Sequence, residues 1–212
     1  MKRSTDFVFW ISLAGFTLLS AATGLRLLHP IDVWVLHTAQ SRASERLDTA
    51  GTVFSLLGAA EYSGTAFLVL VGGLLFAGRR ALAGYLLAAF VVTGLLELAT
   101  KLWLPQVPVP EAVAREADPT PTLEVDTPYP YPSGHMLRSV LLLGAIFVLW
   151  PNMLLRTAIL VLLLAAAASR VYLGVHWVSD VIGGALLGFA GLAWAFRQDS
   201  GYGLEASGTN KS

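Results

Sequence analysis

The chain has 212 residues, a length that suits one domain, with 55% hydrophobic and 13% charged residues and no net charge. Its mean hydropathy of +0.65 is that of a membrane protein, and zero net charge argues against a nucleic-acid partner. The absence of cysteine excludes disulfides, thiolate metal sites and cysteine catalysis together.

Met1-Lys2-Arg3 opens the chain and an apolar run follows from Phe7 to Leu28. The run is long for a signal peptide and lacks a small-x-small exit, so it reads as a retained transmembrane helix. Five further apolar runs lie near 58–78, 81–103, 134–150, 154–174 and 177–196. Each approaches the roughly 17–25 residues that cross a bilayer. The fourth and sixth spans are short and rich in glycine and alanine, which favours close helix packing over lipid contact. Residues 1–198 therefore read as one membrane-embedded domain. Residues 199–212, rich in glycine and serine, read as a flexible C-terminal tail.

Lys2, Arg3, Arg79, Arg80, Arg156 and Arg197 fall at alternate ends of the spans. The positive-inside rule makes those ends cytoplasmic, with both termini inside. Asp32, Glu45, Asp48, Glu111, Glu116, Asp118, Glu124 and Asp126 then lie on the outer face, with Lys101, His135, Arg170 and His176. Residues 29–57, with Trp34, Leu36 and Leu47 among Arg42, Glu45, Arg46 and Asp48, read as an amphipathic helix lying in the outer interface. Eight of the ten prolines fall in residues 104–132, which excludes a regular helix or inner strand there. That acidic segment leads straight into Pro132-Ser133-Gly134-His135, so it is expected to cap the site. The fold expected is an all-α bundle of six transmembrane helices with an outer-face interfacial helix and a proline-rich cap loop.

Chemistry concentrates between the last two spans, in Ser-Arg-Val-Tyr-Leu-Gly-Val-His-Trp-Val-Ser-Asp from Ser169 to Asp180. Arg170 at a membrane boundary calls for an anionic partner. His176 and Asp180 are four apart, close enough on a helical first turn for the carboxylate to reach the imidazole. A histidine oriented by a carboxylate beside an arginine points to a nucleophile or base next to an anion site. Phosphate is the obvious anion. Pro132-Ser133-Gly134-His135 opens the fourth span with proline in its first turn. The free N–H groups there can cradle an anion, and His135 at the rim can protonate a leaving group. Lys101 ends the third span on the same face and completes a cationic ring with Arg170.

Lys101, the Pro132–His135 turn, and Ser169-Arg170 followed by His176 and Asp180 resemble the three signatures of the type 2 phosphatidic acid phosphatase superfamily. Vanadium haloperoxidases and glucose-6-phosphatase share that superfamily. The resemblance implies an integral-membrane, metal-independent lipid phosphatase with no cofactor. Its substrate would be a lipid phosphate monoester or diphosphate: polyprenyl diphosphate, phosphatidylglycerophosphate, phosphatidate or a phospho-glycolipid. Polyprenyl diphosphate is favoured, because recycling that carrier requires an outer-face phosphatase. The resemblance makes His176 the nucleophile that becomes phospho-histidine, Asp180 its orienter, and His135 the group that protonates the leaving oxygen and then activates water. Lys101, Ser133, Gly134 and Arg170 would hold the phosphoryl oxygens. A neutral imidazole attacks, so activity should fall when His176 protonates.

The first signature departs from the family pattern: Pro108 and Val109 stand where Arg-Pro is usual. Arg115 in the cap, or Arg138 one turn below His135, could replace the missing cation. Glu97, one turn below Lys101, and Arg138 reach a similar depth, so a buried Glu97–Arg138 pair flooring the pocket is the competing expectation. A metal triad of His135, His176 and Asp180 is disfavoured by the repulsion of Lys101 and Arg170. The rival from another class is a non-catalytic lipid-phosphate binder or carrier of the same fold. Phosphate release by the protein discriminates the two.

Overall fold

The structure, a computed structural model, describes residues 2–115 and 126–208. Eight helices organise those residues: α1 (Lys2–Gly24), α2 (His29–Gln40), α3 (Glu45–Ser55), α4 (Ala60–Phe76), α5 (Arg80–Trp103), α6 (Gly134–Leu149), α7 (Met153–Tyr172) and α8 (Val178–Gly208). No strand occurs among the described residues. The expectation of an all-helical bundle holds.

Local chemistry explains several boundaries. Ser44 accepts from the Leu47 N–H at 3.4 Å and Glu45 and Asp48 fill the first turn of α3, as a helix N-terminus favours. Asn152 accepts from the Leu155 N–H at 2.9 Å at the start of α7. Pro30 stands in the first turn of α2, where its missing N–H costs nothing. Pro105, just past Trp103, cannot continue α5.

Residues 29–57 were expected as one interfacial helix and form two. The Gln40 side chain leaves the end of α2 to donate to the carbonyls of Val113 and Tyr172, each at 2.9 Å. Ser44 then restarts the chain as α3, which continues through the 3-10 turn Leu56–Gly58 into α4. At the other end of the chain, α8 runs on to Gly208. The segment expected to be a loose tail from 199 thus begins as helix, and residues 209–212 lie outside the described residues.

The runs 3–24, 45–76, 80–103, 153–172 and 178–199 are long and apolar enough to cross a membrane, while α6 spans 16 residues. Leu18, Phe76, Leu95, Trp103, Leu154 and Leu164 are exposed on the outward faces of the long helices. So much outward apolar surface suits lipid rather than water. Helix α8 is central and packs against α1, α5 and α6. One apolar cluster joins Phe16, Phe67, Leu86, Leu137, Leu141 and Leu187, and a second joins Leu36, Met136, Ile159, Val171 and Trp177. Gly184 permits a close backbone approach, since a Cβ there would strike the Ser133 carbonyl. The C-terminal ends of α5 and α7 and the N-terminal ends of α6 and α8 consequently share one end of the bundle. The opposite end carries Arg197–Asp6 at 2.8 Å and Arg79–Asp199 at 3.3 Å.

Candidate active site

Asp180 lies in the first turn of α8 and is fully buried. Its Oδ2 accepts from the Trp177 N–H at 2.9 Å, the backward reach of a capping box. The same oxygen lies 3.2 Å from His176 Nδ1. His176 precedes α8 rather than sitting in its first turn, and the capping geometry is what turns the imidazole onto the carboxylate. Gly174, at φ +71, makes the bend between α7 and α8, a conformation that glycine adopts without a steric penalty.

The Ser133 turn is tied directly to this element. The Ser133 N–H donates to the Asp180 carbonyl at 2.9 Å. Ser133 Oγ accepts from the Met136 N–H at 3.4 Å and so caps α6. Pro132 therefore stands before the cap, two positions ahead of the first helical residue Gly134, rather than in the first turn as expected. Tyr131 is buried behind the turn, stacked on Phe16 with centroids 6.0 Å apart and 2.9 Å from Ser20 Oγ. Helix α1 thus helps to fix the start of α6.

His135 and Arg170, both buried, line one narrow crevice with Ser55, Gly58 and Ser139. Arg170 Nη1 bonds Ser55 Oγ from α3. Lys101, Arg138, Arg170 and His176 all lie within electrostatic range of His135, and Lys101 also acts on Asp180. Lys101, Ser133, Gly134, His135, Arg170, His176 and Asp180 therefore gather at one end of the bundle. Two positive side chains, two imidazoles and the N-terminus of α6 can together hold and attack a phosphoryl group.

Glu97 underlies this cluster, with Oε1 3.1 Å from Lys101 Nζ and Oε2 3.6 Å from Arg138 Nη1. Arg138 Nε donates to the Gly58 carbonyl at 3.2 Å. Arg115 is placed elsewhere. Its Nε and Nη2 grip the two carboxylate oxygens of Asp48 at 2.7 and 3.0 Å, and Tyr172 Oη donates to the same carboxylate at 2.6 Å. That bidentate pair commits Arg115 to α3 rather than to a phosphoryl oxygen.

Of the proline-rich segment, residues 104–115 and 126–132 are described, and the part of the expected cap at 116–125 lies outside them. The first part lies along the α7–α8 turn. The Val107 carbonyl accepts from Trp177 Nε1 at 2.7 Å, and the Arg115 N–H donates to the Leu173 carbonyl at 2.9 Å. Sequence reasoning missed Gln106, whose Nε2 donates to Asp180 Oδ1 at 2.7 Å. It also missed Asp32, which accepts from Ser179, and Ser55. A polar residue between two prolines, five after Lys101, carries no periodicity that would have flagged it. Asp32 and Ser55 sit in segments whose pattern read only as interfacial.

Residues 80–202, more than half of the chain, match the family model of the PAP2 superfamily. No curated protein matches the chain in sequence. The fold is similar to a crystal structure of a transmembrane PAP2-type phosphatidylglycerolphosphate phosphatase from Bacillus subtilis. That similarity has a TM-score of 0.71 at 23% sequence identity, covering 92% of this chain and 94% of the other. With its signature residues assembled at one end of a membrane bundle and its sequence matched by the family model, the chain belongs to the PAP2 superfamily.

Proposed function

We propose that the protein is a metal-independent phosphatase of membrane lipids, working through a phospho-histidine on the outer membrane face. The observation that carries the reading is the double tie at Asp180: side chain to His176, backbone carbonyl to Ser133. That tie holds the nucleophile of one signature against the phosphate cradle of the other.

Nδ1–H of His176 donates to Asp180, which leaves Nε2 with its lone pair free to attack phosphorus. The P–O bond to the lipid breaks as the N–P bond forms, and His135 gives the leaving oxygen its proton. His135, now a base, takes a proton from water, whose oxygen attacks phosphorus. The N–P bond then breaks and inorganic phosphate leaves. Lys101, Arg170 and the N–H groups at the start of α6 neutralise the equatorial oxygens, the main demand of phosphoryl transfer. The outward apolar helix faces favour a substrate that arrives within the bilayer. Polyprenyl diphosphate is the first candidate, ahead of phosphatidylglycerophosphate, phosphatidate and phospho-glycolipids.

Purified protein should release phosphate from at least one of these lipids in the presence of a chelator. His176→Ala and His135→Ala should each abolish release while the protein still inserts and folds. Binding of lipid phosphate without release, by wild type as by the variants, would instead favour a carrier that kept the fold. Orientation is tested by cysteine labelling in this cysteine-free chain. Ala112→Cys, exposed beside the site, should react with an impermeant reagent on intact cells, and Arg79→Cys should be protected. The reverse pattern would invert the topology.

A further inference from the structure

A string of buried polar groups runs from helix α2 to the His176–Asp180 pair through Asp32, outside the three signatures, and through Gln106 and Ser179, which stand at positions where the signatures specify no residue. Gln106 is buried, and its Nε2 lies 2.7 Å from Asp180 Oδ1 and 3.3 Å from Ser179 Oγ. Ser179 in turn gives both of its donors to Asp32: N–H to Oδ1 and Oγ–H to Oδ2, each at 2.9 Å. Asp32 is buried too and satisfies one of the free N–H groups at the start of α8.

The orientation of the Gln106 amide follows from its neighbours. Turned over, its carbonyl oxygen would face the Asp180 carboxylate, acceptor against acceptor. The observed orientation gives Asp180 one of the amide hydrogens and Ser179 Oγ the other. It does so although Oε1 then has no hydrogen-bond partner among the described residues.

On the Asp180 carboxylate, Trp177 N–H and His176 Nδ1 share Oδ2, whereas Gln106 is the side-chain donor on Oδ1. Two donors on one oxygen leave the group able to pivot about it. A donor on the other oxygen stops the rotation and with it the tilt of the imidazole plane. We propose that Gln106 is a positioning residue for His176, acting through Asp180 and itself held by Ser179 and Asp32. The interfacial helix α2 thereby becomes part of the site's supporting structure. This inference rests on the reading of His176 and Asp180 as the catalytic pair.

Gln106→Met keeps the length of the side chain and removes the donor. Gln106→Glu also removes it and sets a second carboxylate against Asp180. With purified protein, kcat for phosphate release should fall about tenfold or more in Gln106→Met and further in Gln106→Glu, with KM changed by no more than about twofold. The imidazole N–H signal of His176, observed in histidine-labelled protein and assigned by its loss in His176→Asn, should broaden or shift in both. Should either variant fail to fold, Ser179→Ala removes the hydroxyl that links Gln106 to Asp32 while the backbone N–H keeps its bond to Asp32, and its kcat should still fall several-fold. Wild-type kcat with an unchanged imidazole signal in Gln106→Met, or in Ser179→Ala where the former does not fold, overturns the proposal. If the wild type releases no phosphate, the phosphatase reading falls, and the imidazole signal alone decides whether Gln106 holds the pair.

Discussion

Glu97 and Arg138 meet across α5 and α6 with Oε2 and Nη1 3.6 Å apart, while the other carboxylate oxygen of Glu97 holds Lys101 at 3.1 Å. One buried acid therefore serves two cations beneath the start of α6. Removing one partner of a buried pair costs about 3–5 kcal/mol because the other charge is left uncompensated. Glu97→Leu should sit at the upper end of that range, since it strands both Lys101 and Arg138. Arg138→Met should cost less, because Glu97 keeps Lys101. The double variant Glu97→Leu with Arg138→Met should recover part of the melting temperature lost in Glu97→Leu. No recovery would reject the pair as a structural unit. A fall in substrate affinity in Arg138→Met at unchanged melting temperature would make Arg138 a phosphate ligand instead.

Arg115 anchors the described part of the proline-rich segment to α3 through both oxygens of Asp48. Asp48→Asn should release it. Trypsin, which cleaves after arginine, should then cut on the carboxyl side of Arg115 several-fold faster than in the wild type, as local opening becomes easier. Equal cleavage rates would mean that the ion pair does not hold the segment down.

Gly184 and Gly64 make a matched test of close packing. A Cβ at Gly184 would strike the Ser133 carbonyl, whereas one at Gly64 would meet nothing within 4 Å. Gly184→Ala should destabilise by about 1–3 kcal/mol through overpacking and should lower activity by pushing the Ser133 turn away from Asp180. Gly64→Ala, in the interior of α4, should be neutral or stabilising by up to about 1 kcal/mol. A Gly184→Ala protein with wild-type melting temperature and activity would show that α8 can shift without disturbing the site.

Burial pushes the Asp32 carboxyl above its ordinary value of 3.8, against the opposing pull of its hydrogen bonds from Ser179. Between 3.8 and the raised value the folded protein holds a proton that the unfolded chain has released. Stability therefore falls as pH rises through that window. Asp32→Asn removes the titration. The melting temperature of the variant relative to wild type should accordingly improve as pH rises from 3.8. A difference independent of pH would mean that Asp32 titrates alike in the folded and unfolded states.

The all-helical, apolar character of the chain, the second and third family signatures and the gathering of Lys101, His135, Arg170 and His176 at one end are legible in the chain itself. Twenty-odd apolar residues must run as helix in a bilayer, because no water is there to satisfy the backbone. Antiparallel helices then bring alternate span ends together. The reach of Asp180 to His176 was also legible, since a four-residue spacing keeps two side chains close, although the carboxylate folded back onto the Trp177 N–H, rather than a helical turn, supplies it. Tertiary structure alone decided the rest. Arg115 went to Asp48, the interfacial segment broke in two where Gln40 bonded Val113 and Tyr172, and Gln106 turned its amide onto Asp180. Each of these depends on polar groups that find partners 67 to 132 positions away in the chain. Hydrophobic periodicity records which face of an element is buried, but not which distant polar group it meets there.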